Sequence, residues 1–176
     1  MKATGIVRRI DDLGRVVVPK EIRRTLRIKE SDPLEIFTDR DGKIILKKYS
    51  PIGELGDFAK EYAQSLAQVS GYTVCIADHD QIIAASGKRA KELIDEELET
   101  VILNRKTVKL AKKEAVRLTQ NDAGGYQSQV ISVITSLGDC VGAVIIFSEN
   151  GETELGETEI KLAKAAAGFL GRQMEQ

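Results

Sequence analysis

The chain has 176 residues, enough for one ordinary domain or for a small domain beside a medium one. With 42% hydrophobic and 30% charged residues it reads as a soluble folded protein rather than a disordered one. A single His argues against a zinc centre or a histidine-based catalytic triad, so no metal site and no catalytic residues are expected. The two cysteines, Cys75 and Cys140, lie far apart inside apolar runs and read as buried reduced thiols.

The first residues, MKATGIVRRIDD, are charged at once and contain no apolar segment, unlike a secretory signal. The apolar run CVGAVIIF, residues 140–147, has the length of a strand and falls short of a bilayer span, so a cytoplasmic protein with no membrane partner is expected. Net charge is −1, but it is unevenly placed. Residues 1–50 hold 13 Lys/Arg against 8 Asp/Glu, net +5, and residues 51–176 hold 13 against 19, net −6. Such a split points to two modules with different partners, the first of them a polyanion.

In chain order, ATGIVRRI and GRVVVP read as short β-branched strands joined by the turn DDLG. Pro19 suits the first turn of a helix and keeps Val18 extended. In the helix PKEIRRTLRI, Ile22 and Leu26 share one face, while Arg23, Arg24 and Arg27 point elsewhere. PLEIFTDRDGKIILKKY then reads as a hairpin turning at Asp41-Gly42. Ile10, Val16, Val18, Ile22 and Leu26 make a core too small for one chain, so two chains are expected to complete it.

Residues 51–55 carry Pro and Gly and read as a linker. Beyond it a helix is expected, with Leu55, Phe58, Ala59, Tyr62, Ala63, Leu66 and Val69 at helical spacing and Gly71 at its end. YTVCIAD and IIAAS form two strands around DHDQ, and residues 89–104 read as a helix. SQVISVITSL and CVGAVIIFS pair through Gly138-Asp139, and ETEIKLAKAAAGFLGRQMEQ closes the chain as a helix. The order helix–sheet–helix makes residues 56–176 one α+β domain, and no internal repeat stands out.

Clustered arginines suit duplex DNA, because guanidinium grips phosphate and pairs bidentately with guanine. The competing reading is a solvated charged face. Aromatic residues are nearly absent from this half, which disfavours recognition of single strands by stacking. In the second module every candidate site is weak. Cys75 reads as core, His79 as an exposed turn residue, NDAGGYQ (121–127) as a flexible loop, and the carboxylates of ELIDEELE as a solvated helix face.

The stretch TGIVRRIDDLGRVVVPKEIRRTL, and nearly all of residues 1–50 around it, resembles the DNA-binding domain of AbrB-type transition-state regulators. YSPIGELGDFAKEYA and the ending GAVIIFS…AAAGFLGRQMEQ narrow the resemblance to the sporulation branch of that family. It implies an N-terminal (1–50) swapped-hairpin dimer whose interleaved strands form one DNA-binding barrel. It also implies a C-terminal GAF-like α/β domain that pairs dimers into a homotetramer.

The implied function is a non-enzymatic, nucleoid-associated transcriptional regulator, both activator and repressor, of sporulation genes in spore-forming bacteria. Its DNA-contacting residues would be Arg8, Arg15, Arg23 and Arg24, with Arg9 and Lys20 assisting electrostatically. Ser31 stands where the family often has Gly. No cofactor is implied, and a small-molecule effector in the GAF-like domain is of unknown identity and site. Two other classes stay open: a GAF-type redox enzyme such as a methionine-sulfoxide reductase, and an antitoxin.

Overall fold

The computed structural model describes residues 5–30, 32–149, 151 and 153–175, so Ser31 lies outside the described residues. The chain divides into two units, Met1–Tyr49 and Ser50–Gln176.

The first unit contains one short helix, α1 (Lys20–Thr25), and one hairpin, β1 (Leu34–Thr38) with β2 (Ile44–Lys48). The strands pair antiparallel from Leu34↔Lys48 to Thr38↔Ile44. Pro19 is the N-cap of α1 and Leu26 its C-cap, whose N–H donates to the carbonyl of Ile22. The two strands expected before α1 are not formed: residues 5–10 and 15–19 carry no strand pairing. The turn expected between them is present. Asp11 N–H donates to Arg15 O at 3.1 Å and Gly14 N–H to Asp11 O at 3.0 Å, with Gly14 at φ +75°.

Among the described residues of this unit only Pro19 is buried. Val7 is 87% exposed, Ile10 67%, Val16 53% and Leu26 54%. The expected core of Ile10, Val16, Val18, Ile22 and Leu26 is therefore not assembled within one chain. A strand needs a ladder and an apolar face needs a cover, and Val7, Ile10 and Val16 have neither a strand assignment nor burial.

The second unit begins earlier than the linker reading placed it. Residues 51–54 form the short helix α2 (Pro51–Glu54), and Ile52 is wholly buried in the core. Ser50 caps α2: its Oγ accepts from Gly53 N–H at 3.1 Å and donates to Asp78 Oδ2 at 2.8 Å. α3 (Gly56–Ser70) follows and ends in Gly71 at φ +75°, as its sequence requires. Then come β3 (Thr73–Ala77), β4 (Ile82–Ala85), α4 (Glu96–Leu103), β5 (Val108–Ala111), β6 (Tyr126–Ser136), β7 (Asp139–Glu149) and α5 (Glu157–Gln173).

The five strands form one antiparallel sheet in the order β4-β3-β7-β6-β5. Both faces are covered, which is why CVGAVIIF reads as a continuous apolar run instead of alternating. Val144 and Ile146 face α3 and α5, among Ala59, Ala63, Ala166 and Leu170. Ala143, Ile145 and Phe147 face the opposite way, among Cys75, Leu98, Ile102, Leu118 and Tyr126.

Two boundaries differ from expectation. The β6–β7 turn is centred on Leu137 (φ +49°) and Gly138 (φ +87°), one residue before the expected pair. The helix expected over 89–104 begins only at Glu96, because Leu93 and Ile94 form bridges to Gln81 and Thr119. Asp95 then caps α4, accepting from Glu97 N–H at 3.0 Å.

Candidate nucleic-acid interface

The first unit owes its order to one local device used twice. In DDLGR (11–15) Asp11 Oδ1 accepts from Leu13 N–H at 3.1 Å and from Arg15 N–H at 2.7 Å, and Oδ2 accepts from Arg15 Nε at 2.8 Å. In DRDGK (39–43) Asp39 Oδ1 accepts from Asp41 N–H at 3.0 Å and Lys43 N–H at 2.9 Å, and Oδ2 from Lys43 Nζ at 3.1 Å. Gly14 and Gly42 adopt φ +75° and +76° at matching places. The same five-residue turn, D-x-x-G-[R/K], is thus built at both places. The hydrogen bonds from the Arg15 backbone and side chain hold Asp11 below its ordinary pKa, and the Lys43 backbone hydrogen bond, with its side chain, does the same for Asp39 against desolvation.

Arg8 and Arg9 lie on the chain entering the first turn, Arg15 at its exit, and Lys20, Arg23 and Arg24 on α1. All six are exposed. Arg15 is anchored by Asp11 yet keeps 69% of its side chain exposed. Arg8, Arg9, Lys20, Arg23 and Arg24 form no ion pair with any described residue. Lys20, Arg23 and Arg24 share α1, and all six lie on a small unit with a strong positive excess. Arg27 differs, half-buried at φ +52° just beyond α1, its carbonyl accepting from Lys48 Nζ at 3.2 Å.

The second unit places its reactive side chains in structural roles. Cys75 is wholly buried, and burial pushes its thiol up to about 12, which leaves it unreactive. Cys140 is half-buried, with Sγ 3.6 Å from Ile102 O. The 121–127 loop is no loose flap: Asp122 Oδ2 accepts from Leu118 N–H at 2.9 Å and Oδ1 from Gly124 N–H at 2.9 Å. Asp122 also accepts from the Tyr126 hydroxyl and pairs with Arg89 Nη1 at 3.3 Å. Burial raises the Asp122 pKa, and the hydrogen bonds from Tyr126, Leu118 and Gly124 overcome it and hold the carboxylate below its ordinary range. Arg89 lies over the rings of Tyr126 and Phe147, at 5.7 and 5.5 Å.

The carboxylates of ELIDEELE are likewise engaged rather than merely solvated. Glu92 Oε2 accepts from Thr119 Oγ1 at 2.7 Å, and Glu97 from Arg117 N–H at 2.9 Å.

His79 is the clearest departure from expectation. It is half-buried, with Nε2 2.8 Å from Cys140 O, and this hydrogen bond raises its pKa to about 9 against the opposing effect of burial. Nothing in DHDQ signals the contact, because its partner lies 61 residues away. His79→Ala is expected to lower the stability of this domain by about 1–2 kcal/mol at neutral pH. The folded pKa exceeds the unfolded value of 6.5, so the stabilisation is complete below that pH and fades as pH rises through 9. Urea unfolding of both proteins across this range reads the effect as a gap that narrows at high pH. A gap independent of pH would contradict the charged hydrogen bond.

Comparison with known proteins places the chain. Residues 54–175 match the family described as "Stage V sporulation protein T C-terminal, transcription factor". Stage V sporulation protein T of Bacillus subtilis is 55% identical over 180 aligned residues, covering 100% of both chains. The chain belongs to the stage V sporulation protein T family.

The description of this family is that of a transcription factor. Residues 7–54 also match a family described as "Antidote-toxin recognition MazE, bacterial antitoxin". Transition state regulatory protein AbrB of Bacillus subtilis is 69% identical over 51 residues, covering 29% of this chain and 52% of its own. The second unit of this sporulation protein T relative shares the fold of the GAF domain of an Acinetobacter phosphoenolpyruvate-protein phosphotransferase. Their TM-score is 0.56 at 12% identity, covering 73% of this chain and 84% of that one.

Proposed function

We propose that this transcription factor binds duplex DNA through Arg8, Arg15, Arg23 and Arg24, with Arg9 and Lys20 adding charge, in a dimer built from two first units. One observation carries the reading: five exposed cations without acidic partners among the described residues sit on a unit that leaves Val7, Ile10, Val16 and Leu26 exposed. A second chain interleaving its hairpin covers those residues and doubles the arginines, giving two neighbouring faces to the duplex. The 69% identity over 51 residues to transition state regulatory protein AbrB supports the same reading.

The second unit is the regulatory and oligomerising part. Phe58, Tyr62 and Phe169 form an aromatic cluster on α3 and α5 with centroids 5.4–6.0 Å apart, and Phe58 is 40% exposed. Such a patch suits pairing with a second copy, which joins two dimers into a tetramer. A small molecule bound in this domain shifts the geometry of the DNA-binding units, so that genes of the sporulation programme are activated or repressed from the nucleoid.

Affinity for duplex DNA is expected to fall linearly in log–log form with salt, each neutralised phosphate adding about 0.9 to the slope. Anisotropy titrations from about 50 to 200 mM salt measure it. A flat profile would mean that the basic unit does not meet phosphates.

A further inference from the structure

We propose that residues 105–117, the edge strand β5 with its flanking turns, form a second phosphate-binding surface for duplex DNA on the otherwise acidic unit. The proposal rests on the DNA-binding reading above. The stretch RKTVKLAKKEAVR carries Arg105, Lys106, Lys109, Lys112, Lys113 and Arg117 against Glu114 alone, net +5. Residues 51–176 total −6, so without this stretch they carry −11 (−6 minus +5). Six of their 13 cations therefore sit together in one short stretch. A merely solvated face gains from interspersed signs, because neighbouring like charges repel.

The topology puts this charge at an open edge. β5 pairs with β6 on one side, from Val108↔Ile131 to Ala111↔Ser128, and ends the sheet order β4-β3-β7-β6-β5. The other edge is covered: Ile82 N–H donates to Glu92 O at 2.8 Å, and Lys91 N–H to Ile82 O at 2.7 Å. Along β5, Val108 and Leu110 are half-buried, whereas Lys109 and Ala111 are exposed. Lys106 precedes the strand, and Lys112 and Lys113 follow it in a turn, all exposed.

Arg105 and Arg117 are committed elsewhere, to Gly138 O at 3.2 Å and to Glu97 at 3.4 Å. Lys106, Lys109 and Lys113 form no ion pair with a described residue. Lysine ammonium is a compact point charge that meets phosphate without reading bases. Lysine on a strand edge also discourages pairing with another strand, so a polyanion fits this edge better than a peptide added to the sheet. Edge protection alone accounts for Lys109 but not for Lys106, Lys112 and Lys113, which lie outside the strand.

The test compares the full-length wild type with Lys106→Gln/Lys109→Gln/Lys112→Gln/Lys113→Gln and with the matching four-Arg variant, on a duplex extending well beyond the operator. The Gln variant is expected to show a salt slope shallower by about 2–4 and roughly tenfold weaker binding at physiological salt. The Arg variant should keep the wild-type slope. Equal slopes for wild type and Gln variant, with matching circular dichroism, would overturn the lysine edge while leaving the arginine interface standing. Absence of any wild-type binding would instead remove the DNA reading and this proposal with it. Binding of a fluorescent oligoglutamate by wild type but not by the Gln variant, with equal DNA slopes, would assign the edge to an acidic protein and overturn the proposal.

Discussion

Replacing Arg8, Arg15, Arg23 and Arg24 together by Ala is expected to weaken binding to duplex DNA by about a thousandfold or more, since each contact contributes roughly 1–3 kcal/mol. Three of these side chains, Arg8, Arg23 and Arg24, have no acidic partner among the described residues, so their loss leaves the fold of the unit alone. Arg15 differs, because its guanidinium is held by Asp11 at 2.8 Å. Arg15→Ala removes one of the hydrogen bonds of the DDLGR turn, though the backbone bond from residue 15 to Asp11 Oδ1 remains.

The single variants separate two roles. A residue contacting a base should relax preference at one operator position, whereas a phosphate contact should weaken all sequences alike and flatten the salt slope by about one unit. Competition titrations with operator and random duplex, alongside circular dichroism, read both. Wild-type affinity in the fourfold variant would end the assignment of these residues.

The second large effect concerns the other unit. A Cβ at Gly142 would stand 2.1 Å from the carbonyl oxygen of Ala77, where β7 meets β3. One at Gly171 would stand 2.2 Å from Thr135 O, where α5 lies against β6. Both obstacles are backbone within a sheet whose two faces are packed, so neither can swing aside. Gly142→Ala and Gly171→Ala are each expected to destabilise the domain by more than about 3 kcal/mol. Gly168→Ala is the control: its Cβ meets only the end of Arg172 at 3.9 Å, and on this exposed helix face Ala stabilises by about 0.5–1 kcal/mol. Thermal unfolding of the three variants should therefore split them in sign. A wild-type melting temperature for Gly171→Ala would show that α5 does not lie this close to the sheet.

These two predictions draw on different sources. The basic character of residues 1–50 and its arginines stand in the sequence, because charge is a property of composition and needs no fold to be counted. The α3 stop at Gly71, the pairing of β3 with β4 and of β6 with β7, and the closing helix α5 were also readable, since periodicity and turn residues act over a few positions. Local signals misled where distant contacts took over. Residues 89–95 have helix-forming composition, yet they turn at Ala90-Lys91, and bridges from Leu93 to Gln81 and from Ile94 to Thr119 delay the helix until Glu96. Residues 51–54 look like a linker, yet burial of Ile52 and the Ser50–Asp78 hydrogen bond make them part of the domain. His79 shows the same limit, its partner Cys140 being remote in sequence.

By itself, then, the sequence determined the division of charge, the turns at DDLG and Asp41-Gly42, most elements of the second unit and the resemblance that names the arginines. The tertiary structure decided what those elements touch. It turned the carboxylates of residues 92–97 from a solvated face into fastenings for Thr119 and Arg117, and it set the cations of residues 105–117 on an open sheet edge. It also gave the segments 7–10 and 15–19 no strand assignment, because a strand forms only where a ladder pairs with it, and β-branched composition alone does not supply that ladder.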